Sequence, residues 1–391
     1  MGWPLHMKFI INFVLLLSVS FLLLLQDGFA GQKQQTETQK AATKGMKLDT
    51  GKEVFEAACI GCHGPGGRGQ LDSIVGFEKP DTFPDFSDCN GSTREKIFDW
   101  RATIHGGGLQ RGFSEIMPSW SEALSPEQIE KVIQYLRSLC SEPGWPLGEL
   151  NFPKAIMTEK AFPEDEAVLS GAVNLQHPGS YTGEMVYEKR LGVKGQLEFA
   201  APYSFIQRSN NGWVGGIGDL VAGYKRVLVA SGKTGSILSA QGAIALPTGN
   251  KSKDLGTGLT TFEVFGSFGQ RLTTSSFLQM QGGAELPVHP TDEVPKAVFL
   301  RTAVGKTFAQ EKGFGRAWTP MVEFVGDRDL LTGAKTNWDI VTEMQVTLNR
   351  RQHIRAAFGI QTPVNNTDGR SVAAVFYILW DWFDGGLKAG W

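Results

Sequence analysis

The second half of the chain alternates apolar and polar residues with a period of two, the spacing of a β-strand whose two faces differ. Residues 337–348 show the pattern, since Trp338 and Ile340 fall on one face while Asp339 and Glu343 fall on the other. The same alternation recurs at 166–176, 184–191, 196–205, 216–229, 235–247, 259–271, 274–286, 297–309, 315–326, 353–361 and 371–383. The pattern predicts about twelve strands, most of them long enough to cross a bilayer when tilted.

The connections between the predicted strands alternate in length. The short ones are 192–195, 230–234, 272–273, 310–314 and 349–352, and the longer polar ones are 177–183, 207–215, 248–258, 287–296, 327–336 and 363–370. Aromatic residues dominate the apolar face, whereas Glu, Gln and Arg occupy mid-strand positions on the other. These features favour an antiparallel transmembrane β-barrel over residues 166–391, with short periplasmic turns and longer extracellular loops. A soluble β-sandwich, which also alternates, is the alternative.

The N-terminal part of the chain has a different pattern. An apolar run from Phe9 to Leu25 precedes the small residues Gly28 and Ala30, which is the layout of a secretory signal peptide over residues 1–30. An uncleaved membrane anchor is the alternative. Residues 31–48 are polar and lack periodicity, so we expect a flexible leader, and four prolines within residues 141–165 indicate an extended linker.

Helical periodicity appears between the leader and the linker, over residues 49–140. Ser125, Pro126 and Gln128 form a helix-start signature. An apolar stripe follows at Ile129, Val132, Ile133 and Leu136. The fold class predicted for the whole chain is therefore multidomain, with a small all-α domain followed by the barrel.

Composition narrows the function classes. The chain has 391 residues, a formal net charge of -2 and 41% apolar residues. This balance excludes a disordered acidic tail and a basic nucleic-acid binder, so we expect no nucleic-acid partner. The 48 glycines exceed the usual share and favour β-structure with many turns.

The sequence Cys59-Ile60-Gly61-Cys62-His63 is the C-x-x-C-H pattern of c-type haem attachment. Two thiols three positions apart can each form a thioether with one vinyl group of a single haem, and the adjacent His63 can bind the iron. A redox dithiol or half of a zinc site are the alternatives. The pattern predicts one covalently bound haem c, with Cys59, Cys62 and His63 holding the cofactor.

The second axial ligand must come from elsewhere, and two candidates follow the motif. Met117 lies in Ile116-Met117-Pro118, just before the predicted helix, and His105 precedes a run of three glycines. We predict Met117 as the ligand, so that His63 and Met117 are the metal-binding pair. The alternatives are His105 as the sixth ligand and a Met117 that only packs.

The remaining cysteines are Cys89 and Cys140. In an exported protein, cysteines without another role tend to pair. We predict a disulfide between Cys89 and Cys140, which would clamp the last helix to the middle of the domain. Two separate buried thiols are the alternative.

Residues 49–140 resemble the class I cytochrome c family through Gly51, Phe55, the Cys59–His63 motif, Met117-Pro118 and Tyr135-Leu136. The resemblance implies a helical fold whose first and last helices cross, with His63 proximal and Met117 distal. The barrel resembles outer-membrane channels of the phenol-degradation-pathway transporter type, through Gly218-Asp219-Leu220-Val221, Leu246–Asn250 and Trp380–Gly386. The whole architecture is similar to the fused cytochrome–porins of iron-oxidising bacteria, although this cytochrome domain is longer and this barrel smaller than theirs.

Together these features predict electron transfer by a c-type haem that a β-barrel holds at the outer membrane of a Gram-negative bacterium. The haem domain would be periplasmic and would link an extracellular donor or acceptor, such as Fe(II), to periplasmic redox proteins, with outer-membrane lipid around the barrel. With both axial positions filled, we expect an electron carrier rather than a substrate-transforming enzyme. Two alternatives remain. The first is an outer-membrane channel with the cytochrome as plug or redox gate. Lumen width distinguishes it, because in a narrow barrel the lumen charges would pair across the interior and obstruct flow; these charges are Glu184, Glu198, Glu263, Arg301, Glu323, Glu343 and Arg355. The second is a barrel that only anchors a periplasmic shuttle.

Overall fold

The computed structural model describes residues 48–142, 144–174, 179–208, 212–308 and 317–382. The predicted signal peptide over residues 1–30 and the predicted leader up to residue 47 lie outside the described residues. None of the helices within these described ranges is long and apolar enough to cross a bilayer.

The helices of the first domain are α1 (Gly51–Ala58), α2 (Ile60–His63), α3 (Asp72–Val75), α4 (Cys89–Ser92), α5 (Ile97–Gly106) and α6 (Pro126–Ser138). Short 3-10 turns lie at Pro65–Gly67, Gly108–Arg111, Gly148–Leu150 and Lys251–Lys253. The predicted capping of α6 is confirmed. The Ser125 hydroxyl accepts a hydrogen bond from the N–H of Gln128, and the Gln128 side chain accepts one from the N–H of Ser125. The apolar stripe of α6 is buried in the domain core.

Helices α1 and α6 cross at Gly51, as the resemblance to class I cytochromes implies. A Cβ atom at Gly51 would lie 2.0 Å from the carbonyl oxygen of Lys131, so only glycine permits this approach. One turn further along α1, the ring of Phe55 lies 5.4 Å from that of Tyr135. The C-x-x-C-H motif follows directly after α1, so the crossing fixes the position of the motif in the domain.

The described part of the second domain consists of β1 (Glu166–Asn174), β2 (Ser180–Leu191), β3 (Gly195–Arg208), β4 (Gly212–Ile217), β5 (Leu220–Ser231), β6 (Ser236–Leu246), β7 (Thr261–Arg271), β8 (Ser276–Pro287), β9 (Ala297–Lys306), β10 (Trp318–Asp329), β11 (Asn337–Thr347), β12 (Ile354–Pro363) and β13 (Ala373–Asp381). Each strand pairs antiparallel with its neighbour, and β1 pairs with β13 to close the barrel. β4 and β5 both pair with β3, one after the other along its length, and so count as one interrupted strand. The thirteen described strands therefore form a barrel of twelve. The predicted twelve-stranded antiparallel barrel is confirmed.

The interruption between β4 and β5 at residues 218–219 has a local cause. The Asp219 carboxylate accepts hydrogen bonds from the N–H of Gly249 (2.9 Å) and the N–H of Thr257 (2.8 Å), and so holds the long loop between β6 and β7. In return, the Thr248 hydroxyl accepts from the N–H of Leu220 at 2.9 Å. Two sequence motifs that suggested a channel-like barrel thus meet at this rim.

The barrel is polar inside and apolar outside. Along β11, the inward residues Asp339, Glu343 and Gln345 are buried, whereas Trp338 and Ile340 face outward. Large apolar side chains are exposed on the outside, among them Met185, Phe199, Phe324, Phe358 and Ile378. An apolar outer surface around a polar interior is the arrangement that a lipid-embedded barrel requires.

Residues 151–165, which we call the lumen segment, run inside the barrel. The sequence predicted only an extended linker here. Phe152 stacks on Phe277 of β8 with ring centroids 5.5 Å apart, and Ala155 and Phe162 join the same buried cluster. The segment returns to the end where it entered, because it continues directly into β1 at Glu166.

The polar side chains of the barrel wall satisfy the backbone of the lumen segment. Glu323, which is fully buried, accepts from the N–H of Met157 (2.9 Å) and the N–H of Thr158 (2.8 Å). Glu343 accepts from the N–H of Ile156 at 3.0 Å, and Arg301 donates to the carbonyl of Met157 at 3.0 Å. The sequence suggested that such charges would pair across a narrow lumen. In the structure these three side chains hydrogen-bond to backbone groups of the lumen segment, because buried backbone groups need partners.

The helical domain lies against the barrel end that carries the short turns, which we call the short-turn rim. Arg94 forms an ion pair with Asp165, just before β1. The N–H of Gly148 donates to the carbonyl of Thr93 at 2.7 Å, where the chain leaves the domain. A Cβ atom at Gly232, in the turn between β5 and β6, would lie 2.9 Å from the side chain of Leu147. A direct contact between the domain and the rim comes from Arg351, in the turn between β11 and β12, which donates to the carbonyl of Gly112 at 2.8 Å.

Candidate haem site

The C-x-x-C-H motif forms the wall of a cavity in the helical domain. Helix α1 ends at Ala58 and α2 begins at Ile60, so Cys59 lies between the two helices, about one turn before Cys62 and His63. Both thiols are free, and Cys62 is exposed. Burial raises the pKa of the Cys59 thiol to about 11, with a smaller contribution from Cys62. The motif thus presents two thiols and one imidazole to the same space.

The cavity has a volume of 510 Å³, within the range of cofactor and ligand sites. Its lining is mainly aromatic and aliphatic and includes Phe77, Phe83, Phe86, Trp100, Phe113, Ile116 and Trp120. Cys59, Cys62, His63 and Met117 all lie on its surface. The structure therefore brings together the four residues that the sequence suggested for haem attachment and ligation.

The His63 imidazole packs against two aromatic rings in the cavity wall. Its ring lies 5.0 Å from the ring of Phe83 and 5.0 Å from that of Phe86. Burial lowers the pKa of His63 to about 4, so the imidazole is neutral at pH 7, which is the form that binds a metal. Among the described residues, none hydrogen-bonds to its buried Nδ1 atom.

Met117 is carried by a loop that folds back on the end of α5. The N–H of Gly108 donates to the Met117 carbonyl at 2.9 Å, and a Cβ atom at Gly107 would lie 2.9 Å from the same oxygen. The glycines after His105, which the sequence suggested as a flexible loop, are therefore needed for close packing. His105 itself is exposed and is not among the residues that line the cavity. The geometry favours Met117 over His105 as the distal residue.

The charged side chains around the cavity were not identified from the sequence. Those that line it, apart from His63, are acidic: Asp81, Asp85, Asp88, Glu95 and Asp99. Nearby carboxylates favour the more positive state of any group they face. Asp81, Asp85 and Asp88 belong to the loop between α3 and α4, whereas Glu95 and Asp99 lie near the start of α5, so only folding brings the two groups to one cavity.

Cys89 and Cys140 are joined by a disulfide in the structure, with their Cα atoms 5.0 Å apart. Cys89 begins α4, and Cys140 follows the end of α6. The bridge thus connects α4, which follows the loop that carries Phe86, to the end of α6, the helix that packs on α1.

Residues 47–136 match a family model described as cytochrome c oxidase, cbb3-type, subunit III. The match spans the C-x-x-C-H motif, the Met117 loop and most of α6. The helical domain is a cytochrome c domain. Such a domain implies a haem cofactor, and the cavity fits one, because it is apolar, of suitable volume, and flanked by both thiols, a neutral imidazole and a thioether.

The barrel half of the chain is similar to several solved structures. An outer membrane channel from Pseudomonas putida F1 is 11% identical, with 59% of this chain and 99% of that chain covered and a TM-score of 0.42. The KdgM porin is 7% identical, with 55% of this chain and 98% of that chain covered and a TM-score of 0.36. For the beta domain of the Bordetella autotransporter BrkA the identity is 12%, the coverage 55% and 97%, and the TM-score 0.32. No curated protein matches the chain.

Proposed function

We propose that this protein transfers electrons through one c-type haem, which Cys59 and Cys62 hold by thioether bonds and which a barrel keeps at the outer membrane. The observation that carries the proposal is the convergence of Cys59, Cys62, His63 and Met117 on one apolar cavity. When bound, the haem supplies a one-electron iron couple.

The residues around the cavity determine what that couple can do. His63 and Met117 would both bind the haem iron and leave no open coordination site for a substrate, so the protein would act as a carrier rather than an enzyme. The aromatic lining would give the haem a mainly apolar environment. The acidic lining favours the oxidised state and so lowers the reduction potential relative to an uncharged cavity.

The barrel supports a location in the outer membrane. Its outer surface carries exposed aromatic and aliphatic side chains, as lipid contact requires. In bacterial barrels the short turns are periplasmic, and the cytochrome c domain contacts the short-turn rim. On this orientation the domain is periplasmic, its partners are periplasmic redox proteins, and Fe(II) or another extracellular donor or acceptor lies on the far side.

The lumen segment favours electron transfer over solute transport. Its backbone is hydrogen-bonded to Glu323, Glu343 and Arg301 near the middle of their strands. The segment occupies part of the lumen, so a solute too large to pass beside it would have to displace it. Such displacement would break several buried charge-assisted hydrogen bonds, each of which contributes about 1.5–3 kcal/mol.

Reconstitution of the full chain into phosphatidylcholine vesicles tests the proposal. External protease first removes any outward-facing haem domain, so that only protected haem is observed. Addition of Fe(II) outside should then reduce the protected haem, visible in its absorption spectrum, whereas the haem in matched vesicles that receive no Fe(II) should stay oxidised. The same vesicles should not swell in iso-osmotic sugar.

Each outcome separates the alternatives. Swelling in sugar would identify a channel and contradict the closed lumen. Another outcome is a haem that dithionite reduces in detergent but that external Fe(II) does not reduce in vesicles. That result would indicate that the barrel only anchors a periplasmic shuttle. A purified chain without a c-type haem spectrum would contradict electron transfer altogether.

A further inference from the structure

The turn between β11 and β12 has a fixed conformation and contacts the cytochrome c domain. The side-chain oxygen of Asn349 accepts hydrogen bonds from the N–H groups of His353 (3.0 Å) and Ile354 (3.1 Å). Gln352 adopts a φ of 62°, a left-handed conformation that is uncommon for a non-glycine residue. The turn therefore presents Arg351 to the domain in a defined direction, and Arg351 is only 7% exposed.

Arg351 contacts two consecutive residues of the domain. Its Nε and Nη2 atoms donate to the carbonyl of Gly112 at 3.2 and 2.8 Å. Its guanidinium group lies 4.5 Å from the ring centre of Phe113, a stacking geometry that arginine favours. A lysine could keep the charge here but not the fork or the planar stacking.

Arg111, an arginine of the domain, also forms a hydrogen bond with the turn. Arg111 is 2% exposed and donates from Nη2 to the carbonyl of Arg351 at 3.2 Å. The same nitrogen forms an ion pair with Asp99 at 2.7 Å. Because Asp99 lines the haem cavity, this pair connects the barrel turn to the cavity wall.

The residues that Arg351 contacts also support Met117. Phe113, which contacts Arg351, also lines the haem cavity. The N–H of Phe113 donates to the carbonyl of Gly108 at 2.9 Å, and the N–H of Gly108 donates to the carbonyl of Met117 at 2.9 Å. Two backbone hydrogen bonds thus connect the residue under Arg351 to the distal residue.

We infer that Arg351, a residue of the barrel, positions the loop that carries Met117 against the haem. The inference rests on the proposed ligation by Met117. It gives the barrel a role in the redox site itself, since docking on the short-turn rim keeps the distal loop closed. Loss of the Arg351 contacts opens the loop and lowers the reduction potential, because thioether ligation is what raises it.

The full chain in detergent tests this with variants Arg351→Ala and Arg351→Lys. The matched control is Arg328→Ala, which removes an exposed arginine at the end of β10. Three readouts are followed: the near-infrared methionine–iron band of the oxidised protein, the reduction potential, and the rate of carbon monoxide binding to the reduced protein. Both Arg351 variants should weaken the band, lower the potential and speed carbon monoxide binding by about tenfold, which corresponds to about 1.4 kcal/mol of loop opening.

The outcomes separate the inference from the proposal on which it rests. If the wild-type protein lacks the methionine band, or Met117→Ala leaves it intact, the ligand assignment fails. If that band is present and depends on Met117, but all three readouts of the Arg351 variants equal those of Arg328→Ala, the positioning role is wrong. Arg351→Lys keeps the test decisive if the alanine variant does not fold, and gel mobility before and after boiling reports whether the barrel is intact.

Discussion

Cys59 and Cys62 lie on adjacent turns of the chain and face one apolar cavity together with His63. Their separation is set by local backbone geometry, so the attachment chemistry depends on these three residues alone. The distal side differs, because Met117 reaches the cavity only through a loop that packs on Gly107 and Gly108. At this scale, the proposed haem attachment would be a local property of the chain, whereas the proposed ligation by Met117 would depend on tertiary packing.

Replacement of the two thiols tests the attachment at the level of single residues. Cys59→Ala or Cys62→Ala should each remove one thioether bond and reduce the haem retained after denaturation. The double variant should retain none, because no covalent bond to the cofactor remains. Haem staining of a denaturing gel measures this, with wild-type protein on the same gel. Staining of the double variant at the wild-type level would contradict the assignment.

The crossing of α1 and α6 is a feature of whole elements and depends on one glycine. Gly51→Ala would place a methyl group 2.0 Å from the Lys131 carbonyl oxygen and force the helices apart. We expect a loss of about 1–3 kcal/mol in the free energy of unfolding of the cytochrome c domain, typical of overpacking. Gly61→Ala is the matched control, since no atom lies within 4 Å of a Cβ placed there. Chemical denaturation followed by haem absorption compares the two variants, and equal stability would contradict the crossing.

The disulfide between Cys89 and Cys140 ties α4 to the end of α6. It spans 51 residues, and its removal by Cys89→Ser with Cys140→Ser should cost about 2–4 kcal/mol of domain stability. In the unfolded, unreduced protein, an alkylating reagent should label neither cysteine, whereas prior reduction should expose both. Labelling of both without reduction would contradict the bridge.

The whole molecule combines a closed barrel with a cytochrome c domain on its short-turn rim. All spanning strands pair internally in a closed barrel, so protease can reach only loops and domains outside the membrane. Protease added to intact cells should therefore cut in long loops such as 248–258 and 327–336 and leave the cytochrome c domain whole. Immunoblotting for the domain measures this, with protease added after outer-membrane permeabilisation as the control. Release of the domain from intact cells would contradict the periplasmic orientation.

The lumen segment also acts at the scale of the whole molecule. Inside the lumen it reaches the mid-strand residues Glu323 and Glu343, and it then returns to begin β1. The cytochrome c domain and the barrel are thus connected through the lumen as well as at the rim. The contacts of Arg351 with Gly112 and Phe113 give a second, independent connection.

The sequence by itself determined the features that depend on local periodicity or on covalent chemistry. Alternation in segments such as 337–348 predicted the strands and their inward and outward faces, because successive side chains of a strand point to opposite sides. The Cys59–His63 spacing predicted haem attachment, and Ser125 with Gln128 predicted where α6 begins. Each of these signals is contained within about ten residues.

The tertiary structure decided the features that depend on which distant residues become neighbours. The path of residues 151–165 could not be predicted from their prolines, because an extended chain outside a barrel and one inside it have the same local pattern. The mid-strand carboxylates Glu323 and Glu343 were a signal, but their partners are backbone groups, which carry no sequence signature. The same holds for Arg351, which contacts a carbonyl oxygen and a ring about 240 positions away in the chain. Folding alone brings such groups together, since backbone hydrogen bonding is common to every residue and its partner is chosen by packing.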